Sequence, residues 1–133
     1  SQVWVSAEVG GTVSVIDNKT RQVVKKINFA IPGLRSETIQ PVGVSITAYG
    51  KKAYVALGPA NHVAVVDTKT YEVKKYILVG QRVWHLAFTP DQKTLITTNG
   101  NSNDITFIDT ATDEPVQSVT VGQQPWGVVV SPK

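Results

Sequence analysis

The chain contains no cysteine. Disulfides and thiolate metal sites are therefore excluded. That composition suits the cytosol, and equally an exported protein that folds without disulfides. No apolar run approaches the ~20 residues that a membrane-crossing helix needs, and no secretory leader pattern is present. The chain opens at Ser1 rather than at methionine, which reads as a processed or cut piece of something longer. Charge is scarce, at 17% of residues, with a net value of +3. The lysines are scattered (Lys25, Lys26, Lys51, Lys52, Lys74, Lys75, Lys93). A nucleic-acid surface would gather them on one face among aromatic residues, so no such partner is expected. Also missing are GxGxxG, the phosphate-binding P-loop and HExxH, and the GxSxG elbow. His62 and His85 are the only histidines, too few for a zinc site by themselves, so no metal and no catalytic residue is expected.

What the sequence does contain is repetition. VSVID at 13–17, VAVVD at 63–67 and ITFID at 105–109 align, with the aspartates 50 and then 42 positions apart. The shorter spacing is that of one four-stranded propeller blade. The longer one carries an eight-residue insert. Three further apolar runs recur in register with these: VWVS, AYVAL and LITTN before them; VVKKINF, VKKYILV and VQSVTV after; then VGVSIT, WHLAFT and WGVVVS. Each is short, rich in β-branched residues and bounded by Gly, Pro, Asn or Asp, which is the strand signature. Asp17, Asp67 and Asp109 each open an Asp-x-x-Thr turn, whose side chains bond to nearby backbone. Recurrence at one repeat position makes these aspartates structural rather than catalytic.

The expected fold is an all-β propeller of antiparallel four-stranded blades. Naming the strands A to D from axis to rim, residues 3–29 supply B, C and D of a first blade. Residues 41–79 form a second blade, 84–121 a third, and 126–131 a leftover strand A. The whole chain, 1–133, is thus a partial propeller of about three blade equivalents. A ring needs at least four blades, so one copy cannot close it. Two readings stand: the chain is part of a longer propeller, or two copies join head to tail as a six-bladed homodimer. The lysines at 25, 26, 74 and 75 fall on rim strand D, where they discourage edge-to-edge pairing.

In this topology the D-to-A and B-to-C connections share one face. That face gathers the insert 31–40, in which Ser36-Glu37-Thr38 starts a short helix, and the axial ends of two A strands. Arg82, Trp84, His85 and Trp126 meet there as a candidate ligand-binding set. Aromatic rings with an arginine suit a planar or anionic ligand. Trp84 and Trp126 occupy one repeat position, held by Val42 in the other copy, so packing between blades is the competing reading.

The stretches IPGLRSETIQPVGVSIT, ALGPANHVAVVD, VGQRVWHLAFTPD, TTNGNSNDITFID and VGQQPWGVVVSP resemble the YVTN-family β-propellers. Within them the chain is most similar to the C-terminal part of PQQ-dependent catabolism-associated β-propeller proteins. The resemblance implies a seven-bladed, exported bacterial protein about twice this long, working in the periplasm beside quinoprotein alcohol oxidation. It implies no catalytic residue. PQQ would enter through a quinoprotein dehydrogenase partner. The expected function is a non-catalytic scaffold that binds a protein or small ligand on its loop face. The alternatives are a quinone- or substrate-binding accessory of a dehydrogenase, and a structural repeat protein of the cell envelope.

Overall fold

All but the last of the recurring apolar runs become strands in the computed structural model, which describes residues 1–132. The first sheet holds β1 (Gln2–Ala7), β2 (Thr12–Asp17) and β3 (Val23–Asn28) in the order β1-β2-β3. The second holds β4 (Val44–Ile46), β5 (Lys52–Ala56), β6 (His62–Asp67) and β7 (Val73–Leu78) in chain order. The third repeats this with β8 (Val83–Phe88), β9 (Thr94–Asn99), β10 (Asp104–Asp109) and β11 (Glu114–Thr120). All pairings are antiparallel. The chain is a partial β-propeller of three blades, the first without its innermost strand, and it does not close into a ring. The insert contains one short 3-10 turn, Ser36–Thr38.

The Asp-x-x-Thr turns are alike in detail. The Asp17 carboxylate accepts from Lys19 N (2.7 Å) and Thr20 N (2.9 Å). Asp67 accepts from Lys69 N and Thr70 N, and Asp109 from Ala111 N. The backbone bonds from Thr20 and Thr70 hold the Asp17 and Asp67 carboxyls below the usual carboxylate range. The turn then closes through a residue at positive φ: Arg21 at 60°, Tyr71 at 64° and Asp113 at 56°. Each donates its amide to the carbonyl of the leading aspartate.

Strand alternation divides the core into two seams. Val13, Val15 and Ile27 of the first blade pack on Ala53, Val55, Leu57, Ala64 and Val66. The opposite face of the middle blade, with Tyr54, Ala56, Val63, Val65 and Ile77, packs on Val83, Leu86, Leu95 and Ile108. The middle blade therefore buries both faces, and nearly every position of β5 and β6 is buried. The strands β1 and β2 of the first blade alternate between more and less buried positions, as strands with one covered face must. At the rim Lys25 and Lys26 are exposed, while Lys75 pairs with Glu114 at 2.5 Å and ties the second blade to the third.

Near the loop end of the second seam the core turns polar. Asn99 Nδ2 donates to Asp104 Oδ1 (3.0 Å) and Thr106 Oγ1 (2.9 Å), Thr97 Oγ1 to Asn99 Oδ1, and Ser102 Oγ to Asp104 Oδ1. Gly80 passes directly over this set. A Cβ there would lie 2.4 Å from Ser102 Oγ, 2.6 Å from Asp104 Oδ1 and 2.7 Å from Asn99 Cβ. Gly80→Ala must part a satisfied network, at a cost of about 1–3 kcal/mol. A urea titration of the variant is expected to show that loss; an unchanged midpoint would mean the seam yields freely.

One element differs from expectation. Trp126–Ser131 is not a β-strand. It lies where an inner strand belongs, since Thr98 Oγ1 donates to Trp126 O (2.8 Å) just as Ser6 Oγ donates to Val42 O (2.6 Å). The physical reason is pairing: an inner strand takes its ladder from strand B of its own blade, and no strand among the described residues pairs with 126–131.

Candidate functional site

Two asparagines lace the loop face together. Asn61 and Asn103 hold the left-handed conformation, at φ 63° and 58°, which asparagine tolerates better than most residues. Asn61 Oδ1 accepts from Arg82 N (2.8 Å) and its carbonyl from Val79 N. Asn103 repeats this with Gln124 N (2.9 Å) and Val121 N. Each thus fixes the loop that enters the next inner strand. Sequence reading missed them. Their recurrence just before strand C was the available signal.

Arg82 is itself at φ 58°, with its carbonyl accepting from Gly100 N (2.8 Å). From that fixed backbone its guanidinium lies 4.4 Å from the centroid of the Trp84 ring. β8 then bulges, because Val83 pairs with Asn99 and Leu86 with Thr97. Trp84 and His85 together face Thr98, and such a bulge re-aims side chains. Trp84 meets Trp126 with ring centroids 5.3 Å apart and planes at 31°. The His85 amide donates to Thr98 Oγ1, and its Nδ1 accepts from Val128 N at 3.4 Å. The structure thus brings Arg82, Trp84, His85 and Trp126 into one cluster.

Their roles within it are unequal. Trp84 is packed: Arg82 and Trp126 lie against it, and a Cβ on Gly100 would sit 2.5 Å from its Nε1. Trp126 keeps 63% of its surface exposed and leans on Trp84, the ring that also carries the Arg82 guanidinium. His85 stands where the neighbouring repeats carry Gly43 and Gly127. At Gly43 the inner strands close up, with its N donating to Trp84 O at 3.0 Å. Beside the cluster, Gly100, Asn101, Asn103, Gln123 and Gln124 line a polar recess of about 400 Å³. The arrangement can stack a flat group and pair a negative one. His62 is taken up locally, its Nδ1 2.6 Å from Ala60 O. Among the described residues no group of three or more His, Asp or Glu could hold a metal, and no helix is long and apolar enough to cross a membrane.

No curated protein matches the sequence. Among solved structures, a chain of Kuenenia stuttgartiensis hydrazine synthase is similar, with a TM-score of 0.82 and 26% identity. The likeness covers 93% of this chain but 34% of that one, so this chain spans about a third of its length. The family profile described as YNCE-like beta-propeller matches residues 39–133. That match takes in well over half of the sequence, and the chain belongs to the YNCE-like β-propeller family.

Proposed function

We propose that this protein is a non-catalytic binding scaffold whose loop face engages a partner in bacterial, PQQ-linked alcohol catabolism outside the cytoplasm. The observation that carries the binding role is the exposed Trp126 indole packed on Trp84, the ring that also carries the Arg82 guanidinium. Tryptophan and arginine on a rigid support are the residues that most often dominate interfaces. The likeness to one third of a hydrazine synthase chain supports a propeller that serves an enzyme as one of its parts. The PQQ-linked setting rests on the resemblance of the repeats.

The cluster does not fit PQQ itself. That cofactor is a planar tricarboxylate, and Arg82 is the one cation in the set. PQQ therefore belongs with a partner dehydrogenase, which this face would dock. Interferometry against a purified PQQ-dependent alcohol dehydrogenase is expected to show a saturable complex. Trp126→Ala and Arg82→Ala should each weaken it about tenfold or more. No complex at high micromolar dehydrogenase would discard the reading.

A further inference from the structure

The turn end of the propeller, opposite the loop face, holds two seams built from the same repeat positions. Between the first and second blades an open cleft of about 500 Å³ is lined by Gln2, Trp4, Ile46, Thr68, Lys69 and Tyr71, with Ser1 and Gly50 at its edge. Between the second and third blades the counterparts of those six are Lys52, Tyr54, Phe88, Thr110, Ala111 and Asp113. The backbone is alike in both. Thr68 Oγ1 donates to Gly50 O, and Thr110 Oγ1 to Gln92 O. Thr68 N donates to Lys51 O, and Thr110 N to Lys93 O.

The side chains differ, and with them the space. The second seam is filled by the Tyr54 and Phe88 rings, edge to face at 5.7 Å. Lys52 and Asp113 close it with an ion pair at 3.2 Å. Strand β4 takes no part in those ring and ion-pair contacts, while Ala48 just beyond it donates its amide to Gln92 Oε1 (2.8 Å) at the same end of that seam. In the first seam Ile46 stands in place of Phe88, and among the described residues no ion pair spans the gap. Trp4 and Tyr71 form an aromatic wall, with centroids 6.1 Å apart. The Tyr71 hydroxyl accepts from Gln2 Nε2 (2.6 Å), which leaves its own proton to donate. Lys69 has no ion pair among the described residues, and neighbouring Asp67 is turned into its own loop by the Lys69 and Thr70 amides.

We propose that this cleft binds a small aromatic carboxylate, its ring against Trp4 and Ile46 and its carboxylate at Lys69 Nζ. The volume falls in the range of small-molecule sites, which are mostly apolar with a few polar groups that fix orientation. The site is separate from the Arg82–Trp126 cluster and does not rest on the partner proposed for it.

Benzoate is the probe, followed by NMR at the Trp4 indole N–H, with benzamide as the uncharged control. Saturable shifts at Trp4 with benzoate are expected. Lys69→Gln should weaken benzoate about tenfold while leaving benzamide unchanged. Ile46→Phe rebuilds the ring pair of the closed seam and should abolish binding of both while the protein stays folded. Absence of saturable shifts at Trp4, or undiminished benzoate binding by Ile46→Phe or Lys69→Gln, would overturn the proposal.

Discussion

Tyr54→Ala is expected to lower the free energy of unfolding by about 3–5 kcal/mol, the range for deleting a large buried side chain. Tyr54 is fully buried in the seam between the second and third blades. Its ring meets Phe88, and its hydroxyl donates to Asp113 Oδ1 at 2.6 Å. The same carboxylate holds Lys52, whose ammonium also donates to Thr110 O. Truncation would remove the ring and one of the two donors to Asp113. Tyr54→Phe separates these losses: packing is retained, and one hydrogen bond to a charged group, about 1.5–3 kcal/mol, disappears. Burial, followed by the Asp113 carboxylate, raises the phenol's pKa well above its usual value. A raised folded-state pKa adds stability that is complete below the unfolded value near pH 10, and it is lost as pH rises toward the folded one. Urea midpoints at neutral pH and at about pH 11 should therefore fall less steeply for Tyr54→Phe than for the native chain. Equal slopes would show that Tyr54 ionises freely in the folded state.

The fold was legible because each blade repeats the same four runs, and repetition outweighs any single run's propensity. VAVVD and ITFID predict strands through β-branching alone, and the shared Asp-x-x-Thr turns give the register between copies. Trp126–Ser131 was legible as composition and position but not as a strand, because a ladder needs a partner, and pairing is not written in one strand's residues. The site was legible only in part. That Arg82, Trp84, His85 and Trp126 meet follows from topology. That Trp84 is packed and Trp126 open depends on Gly100 passing so near the Trp84 indole that a Cβ there would lie 2.5 Å from Nε1, a three-dimensional fact. Asn61 and Asn103 were hidden because their work is done through backbone conformation rather than side-chain chemistry. The cleft at Trp4 was hidden for another reason. It arises from an exchange, Ile46 for Phe88, that keeps the apolar pattern and changes only volume.

Taken as this 133-residue chain, the protein is expected to sediment at about twice 14.4 kDa. The first blade presents Val3, Val5 and Val24 on its uncovered face, each about half exposed, and the inner edge of β1 has no strand beside it. At the other end, residues 126–131 are already held by Thr98 and His85 in the place of an inner strand, with Val129 90% exposed. A second copy placed head to tail would bring each of these segments to the bare β1 edge of the other and cover both apolar faces. Six blades would then close as a ring, leaving open only the short rim edges of β3, β7 and β11. Val5→Lys puts a charge on the face to be covered, and an unpaired buried charge is expensive. The variant should therefore sediment at about the 14.4 kDa of one chain and expose its valines to an apolar dye. The same result should follow from removing residues 126–131, because the ladder to β1 would have no donor strand. A native chain that sediments as one copy and binds no dye would mean that the end blades hide their apolar faces some other way, and pairing of two copies would be wrong.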